Sequence, residues 1–131
     1  MHTLNENYKA IQLLPCAAVT STTTHTGIDV EKYCNDAIII VNWGTVSGTT
    51  PTDDTTIETS TDGTNYTAAV ITFAQNTTAN KMAAAQLNLA GIKKIRAKST
   101  IGGTTPSFTK GITLLVEARA GSSSLNSTTP A

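Results

Sequence analysis

Aromatic residues make up only 5% of this 131-residue chain, and charged residues only 14%. A sustained coiled coil needs many Glu, Lys and Leu residues, so the low charge excludes that class. Lys and Arg together number 9, as do Asp and Glu, which gives a formal net charge of zero. A dedicated nucleic-acid-binding protein would be basic, and we therefore expect no nucleic acid among the partners.

Long apolar runs are missing as well. No run approaches the roughly 18 residues that a membrane-spanning helix requires, so we expect no membrane partner. The first apolar stretch, residues 10–19, is interrupted by Gln12 and Pro15. It follows an Asn-Glu-Asn segment instead of a basic region, which argues against a signal peptide.

Cysteine is equally scarce, with Cys16 and Cys34 as the two thiols. One possible bridge does not make a disulfide framework, although a single disulfide between neighbouring strands stays open. We favour two small buried thiols, because free cysteine usually behaves as a buried hydrophobic residue.

Threonine is abundant, with 26 residues, and this composition favours β-structure over helix. Residues 37–43 form a continuous β-branched run, which predicts a central strand buried on both faces. Residues 55–60 and 66–73 flank a turn at Asp62-Gly63, and this pattern predicts a β-hairpin. We expect further strands at 11–19, 28–30, 92–99 and 108–118.

The segments between these strands are rich in Gly, Thr, Ser and Pro, so residues 44–54 and 102–106 are predicted to be loops. Residues 81–90 are ambiguous, and we favour a turn of helix or coil that leads into a short strand. No internal repeat is expected. Seven or eight short strands predict an all-β fold, a single antiparallel β-sandwich of Ig-like or jelly-roll-like type. The expected organisation is an N-terminal arm (1–10), the sandwich (11–118) and a flexible C-terminal tail (119–131).

No catalytic motif is present, so we expect neither an enzyme nor a cofactor. His2 and His25 stand apart from any Cys or acidic cluster with metal-ligand spacing, and no metal site is expected. The three carboxylates of Asp53, Asp54 and Asp62 could hold calcium, but we interpret them as solvated turn residues.

The one basic strip consists of Lys93, Lys94, Arg96 and Lys98, and it is the candidate interaction surface. A partner with acidic groups is one interpretation. A solvent-facing strand, or an edge strand that its lysines protect against aggregation, is another. The third is cross-strand pairing with Glu58.

Trp43 and Tyr66 form the alternative candidate, a ligand platform of the kind found in carbohydrate-binding sandwiches. Phe108 is a further aromatic residue that such a platform could use. Because aromatic residues are few, core packing is the competing interpretation for all three.

Four segments carry a resemblance to a known family: an acidic–aromatic lead-in, the apolar strand, an S-x-D-G-x-x-Y hairpin and a Gly-hydrophobic-basic strand. They read IDVEKY (28–33), AIIIVNWGTV (37–46), ETSTDGTNYT (58–67) and LAGIKKIRAK (89–98). The pattern resembles the small β-sandwich structural proteins of tailed-bacteriophage virions, over about residues 28–118. Lys94-Ile95 replaces the aromatic residue that is common before the Arg.

The resemblance implies a virion protein, made in the host cytoplasm, that acts as a capsid auxiliary (decoration) protein or a head or tail component. Such proteins act by contacts with the major capsid protein or neighbouring structural subunits in many copies, so no catalytic residue carries over. The arm and the tail are the expected contact segments. A carbohydrate-binding module and a tail or head-completion subunit are the alternatives.

Overall fold

The computed structural model describes residues 8–33 and 35–117, and within them it is all-β, antiparallel and without helix. This confirms the predicted fold class. The seven strands are β1 (Tyr8–Val19), β2 (Thr23–Thr24), β3 (Ile28–Asp29), β4 (Asp36–Ser60), β5 (Thr67–Thr72), β6 (Lys81–Asn88) and β7 (Lys94–Glu117).

Two long strands, β4 and β7, organise the molecule because they pair with each other over almost their whole length, from Ala37↔Val116 to Ser60↔Lys94. The ladder is divided in its middle by register shifts. On one side, β1 and β6 flank residues 108–117 of β7 and 36–43 of β4, and we call this half-sheet A. On the other side, β2 and β3 flank residues 94–99 of β7, and β5 flanks residues 53–60 of β4. We call this group of strands half-sheet B.

The division between the half-sheets lies where one tetrapeptide occurs twice, as Gly48-Thr49-Thr50-Pro51 and as Gly103-Thr104-Thr105-Pro106. The conformations match: φ is 111° at Gly48 and 107° at Gly103, and 46° at both Thr50 and Thr105. Thr49 pairs with Thr104, so a local two-fold axis passes between the two copies. The expectation of no internal repeat is therefore wrong at this point.

The same region corrects the loop predictions. Residues 44–54 and 102–106 lie within β4 and β7, since their Gly, Thr and Pro residues form β-bulges that bend a continuous ladder. Bends of this kind let one strand serve both layers of a sandwich.

The core lies between the inner faces of the two half-sheets. Its buried apolar residues come from both of them and from the segments that connect the strands: Leu13, Val30, Tyr33, Ala37, Ile39, Val41, Trp43, Ile57, Phe73, Leu89, Ile95, Ala97, Phe108, Ile112, Leu114 and Val116. In residues 37–43 burial alternates, so the predicted burial of both faces is wrong: Ile39 and Val41 are inside, whereas Ile38 is 42% exposed. Half-sheet A is covered on one face, as is common for antiparallel sheets.

Two further predictions need correction. Lys81–Asn88 is a strand and not a turn of helix, because it pairs with β4 in unbroken register and tertiary pairing overrides the helix preference of its alanines. β1 begins at Tyr8, so residues 8–10 of the predicted arm belong to the sheet. The rest of that arm and the predicted tail (119–131) lie outside the described residues.

Cys16 carries a free, exposed thiol on β1, so its predicted burial is wrong. Cys34 lies outside the described residues. No helix in the described part of the chain is long and apolar enough to cross a membrane.

Candidate functional site

A buried polar cluster joins the two half-sheets next to the bend. Trp43 Nε1 donates a hydrogen bond to Asp53 Oδ2 over 2.8 Å. Lys110 Nζ lies 2.9 Å from the same oxygen and donates to Thr55 Oγ1 over 2.8 Å. All four residues are buried, with Asp53, Thr55 and Lys110 at 0% exposure. The cluster therefore links residues of half-sheet A to residues of half-sheet B and is closed to solvent.

The pKa of Lys110 reflects both its burial and its acidic neighbour. Burial lowers the pKa of Lys110, and the carboxylate of Asp53 opposes that shift. Nearby, His25 Nε2 and Ser99 Oγ are 2.8 Å apart. Burial, and then the charge of Lys110, lower the pKa of His25, while Asp53 acts in the opposite direction. The cluster is thus a solvent-excluded, hydrogen-bonded network that joins side chains of the two half-sheets, which gives it a structural character.

The sequence did not reveal this cluster. The prediction that Asp53 is a solvated turn residue is wrong, as is the calcium alternative, because the side chain is buried against Lys110. The burial of Lys110 could have been predicted from the sequence. Phe108, Ile112 and Leu114 alternate with polar or less buried positions, and this period of two places residue 110 on the inner face with them.

The three acidic residues considered for calcium do not come together. Asp54 accepts a hydrogen bond from the side chain of Gln75. Asp62 lies in the predicted hairpin turn, where it accepts from the backbone N–H groups of Thr64 and Asn65. These hydrogen bonds hold the pKa of Asp62 well below its usual range. Across residues 8–33 and 35–117, no group of three His, Cys, Asp or Glu residues could hold a metal ion.

The basic strip lies on β7 and in the segment before it. Lys94, Arg96 and Lys98 are partly exposed and alternate with buried residues. β7 pairs with β4 on one side and with β2 and β3 on the other, so the strip is not on an edge strand. The edge-strand interpretation is therefore wrong. Lys93 is exposed, and its Nζ lies 3.9 Å from Glu31 Oε2.

Arg96 differs from the lysines of the strip because its side chain is held on two sides. Its Nε lies 2.7 Å from Glu58 Oε1. Its guanidinium carbon lies 3.8 Å from the centre of the Tyr66 ring, within the range of a cation–π interaction. The predicted pairing with Glu58 is confirmed for Arg96. The lysines are the members of the strip that remain as a candidate surface for a partner.

Trp43 and Tyr66 do not form one ligand platform. Trp43 is 3% exposed and its indole N–H points to Asp53, so it belongs to the interior. Phe108 is fully buried. Tyr66 is partly buried, with Arg96 over its ring and its hydroxyl in the space that a side chain on Gly27 would occupy.

The outer face of half-sheet A carries an exposed apolar surface that the sequence did not predict. Ile38 of β4 is 42% exposed, and Met82 of β6 is 67% exposed. Ile40 and Leu115 are partly buried on the same face, where Ile38 pairs with Leu115 and Ile40 pairs with Ala84. An exposed apolar surface is a candidate for contact with another protein.

Comparison with known proteins gives no sequence family. No family model matches the chain, and no curated protein matches it. The fold, however, has clear structural neighbours. The VP2 subviral particle of infectious bursal disease virus matches 88% of this chain with a TM-score of 0.60 at 17% sequence identity. The structure of the Gx strain of that virus matches 88% of the chain with a TM-score of 0.59 at 19% identity.

The chain spans 33% of the length of each of these viral chains. A third match, to pili among Bacillus endospore appendages, covers 88% of this chain and 94% of the other, with a TM-score of 0.45 at 14% identity. At these identities the comparisons define a class by fold: an all-β, antiparallel domain of the kind present in the two viral chains.

Proposed function

We propose that this chain is a non-enzymatic structural protein of a bacteriophage virion, acting as a capsid auxiliary protein that stabilises the particle through contacts between subunits. The observation that carries the proposal is the shared fold with a chain of the VP2 subviral particle over 88% of this sequence. The resemblance of residues 28–118 to small virion proteins of tailed phages supports the same assignment.

The arrangement of polar groups supports a structural role. The buried ion pair of Lys110 and Asp53 is closed to solvent, and the partly buried pair of Arg96 and Glu58 is satisfied within the chain. Two surfaces remain accessible to a partner: the outer face around Ile38 and Met82, and the lysines of the basic strip. The exposed apolar residues of the outer face suit contact with a neighbouring protein subunit.

A binding experiment with virus particles tests the proposal. Particles that lack this protein are mixed with the purified chain, and co-sedimentation is followed as the chain is added in excess. We expect binding that saturates at a fixed, high number of copies per particle. Saturation at a few copies would instead indicate a tail or head-completion subunit, and absence of binding would contradict a virion role.

A chain that is truncated at its C-terminus provides a second test of the proposal. A chain without residues 121–131 should fold as the full chain does but occupy fewer sites on the particle, because the tail is one of the proposed contact segments. The repeated weak contacts of a symmetric particle amplify such a loss through avidity. Unchanged occupancy would remove the tail from the proposal.

A further inference from the structure

Edge strands in the described part of the chain differ in how well they are protected against pairing with another strand. β1 contains Pro15 and two register shifts. β5 is irregular, with φ of 53° at Ala69 and a register shift against β4. β2 and β3 have two residues each. Proline, bulges and shortness are the devices by which proteins prevent contact between sheet edges.

β6 carries none of these devices. Its eight residues, Lys81–Asn88, pair with β4 without a register shift, from Asp36↔Asn88 to Trp43↔Lys81. Within the described residues it has no second neighbour. In a strand with one neighbour, alternate residues direct their N–H and C=O groups away from the sheet, so β6 presents a regular row of donors and acceptors.

The side chains of β6 do not oppose pairing with an identical strand. After Lys81 its sequence is Met-Ala-Ala-Ala-Gln-Leu-Asn, which carries no charge. Met82 and Ala84 are exposed on the outer face, and the alanines are small enough for close approach. An uncharged edge meets its own copy without like-charge repulsion.

We propose that β6 is the contact between two copies of this chain, which pair their β6 strands antiparallel about a two-fold axis centred on Ala84. In antiparallel pairs, directly opposite residues lie on the same face of the sheet. This register places Ala84 opposite Ala84 of the second copy and Met82 opposite its Gln86, so outer-face residues meet outer-face residues. Half-sheet A then continues from one copy into the next.

The single charge of β6 agrees with the antiparallel orientation. Centred on Ala84, the pairing brings Lys81 of each copy opposite Leu87 of the other. The two Lys81 residues are then about 20 Å apart, at a rise of about 3.4 Å per residue. This separation exceeds the Debye length of about 8 Å at physiological ionic strength, so their repulsion is screened. A parallel pairing in register would place them side by side.

The contact is independent of the proposed virion role, because it concerns the free chain. It would also serve that role: two copies joined at β6 carry the outer faces around Ile38 and Met82 on one continuous sheet. A dimer would thus meet a particle with two apolar surfaces at once, which raises its avidity.

Two variants that introduce charges of opposite sign at position 84 test the proposal. Ala84→Lys and Ala84→Glu each place two like charges across the two-fold axis, while in a single copy the side chain points to solvent. The mass of each protein in solution is measured by sedimentation velocity over concentrations up to about 1 mM, which detects a dimer whose dissociation constant is micromolar to submillimolar. We expect the native chain to reach twice 13.6 kDa. Each variant should show a dissociation constant raised by about tenfold or more.

An equimolar mixture of the two variants should regain the dimer, because Lys and Glu then face each other. A variant that simply misfolds cannot show this rescue. Ala68→Lys is the matched control, since Ala68 is an exposed alanine on the edge strand β5, and it should leave the dimer unchanged. A native chain that stays monomeric would overturn the proposal, as would a dimer that the Ala84 variants leave intact. Neither result would affect the particle-binding test.

Discussion

Lys110 and Asp53 lie 57 positions apart in the sequence, and their side chains meet at 2.9 Å in the interior of the protein. Each is fully buried. The lysine comes from the part of β7 in half-sheet A, and the aspartate from the part of β4 in half-sheet B. Because Trp43, from the part of β4 in half-sheet A, donates to the same carboxylate oxygen, residues of both half-sheets converge on one polar group next to the bend.

Removal of one member of this ion pair should destabilise the protein strongly. Lys110→Met keeps much of the side-chain volume but leaves the carboxylate of Asp53 buried without its counter-charge. Breaking a buried pair in this way costs about 3–5 kcal/mol. Urea denaturation measures the change, as a lower midpoint with an unchanged slope.

The double variant Lys110→Met/Asp53→Asn distinguishes an uncompensated charge from a packing defect. With both charges removed, the loss of unfolding free energy should be smaller than for Lys110→Met alone, because Trp43 still has an amide oxygen as acceptor. Lys98→Met, a change at a partly exposed lysine of the same strand, should lie within about 0.5 kcal/mol of the native chain. Equal losses for the single and double variants would contradict the role of the ion pair.

His25 should make the stability depend on pH in the mildly acidic range. Its pKa in the folded protein lies below the ordinary value of 6.5, so the unfolded chain binds the proton first as the pH falls. The stability associated with the neutral imidazole is therefore present above pH 6.5 and is lost as the pH falls below that value. We expect the free energy of unfolding to decrease between pH 7 and pH 5, and His25→Gln to reduce this decrease. An identical pH profile for the variant would contradict the prediction.

Local patterns were sufficient to predict the hairpin and the alternation of β7. Asp62 and Gly63 form the turn through contacts within a few residues, including the bond from the N–H of Gly63 to the hydroxyl of Ser60. Ile95 and Ala97 are buried between Lys94, Arg96 and Lys98, as the period of two in the sequence indicates. Interactions between residues that are this close in the chain can be predicted from the local sequence pattern.

Distant pairing explains what the sequence did not reveal. Gly48 and Pro51 indicate a loop when read locally, and they become part of a strand because the second copy of their tetrapeptide lies opposite them. The partner of Lys110 lies in that same segment, so the loop assignment also hid the ion pair. The alanines of β6 favour a helix until β4 provides a strand to pair with.

The fluorescence of the single tryptophan should report an interior residue. Trp43 is 3% exposed and bonded to Asp53, so iodide should quench its emission only weakly in the folded protein and strongly after denaturation. Glycans should leave the emission unchanged, because the indole ring has no face on the surface. Strong quenching in the folded protein that a glycan relieves would contradict this position of Trp43 and would restore the carbohydrate-binding alternative.

The bend between the half-sheets should depend on two glycines that occupy equivalent positions. At Gly48 a Cβ atom would lie 2.7 Å from the carbonyl oxygen of Thr105, and at Gly103 it would lie 2.6 Å from that of Thr50. Both glycines also have positive φ, so Gly48→Ala and Gly103→Ala combine backbone strain with a steric clash against backbone.

Gly63→Ala is the matched control, because Gly63 has a φ of 85° but no atom within 4 Å of the added Cβ. It should lose about 1 kcal/mol of unfolding free energy from the backbone conformation alone. The two bend variants should each lose more than this, and by similar amounts because the local two-fold axis gives them equivalent surroundings. Thermal and urea unfolding of the three variants measure the difference. Losses at Gly48 and Gly103 no larger than at Gly63 would show that the bend does not require close approach of the two tetrapeptides.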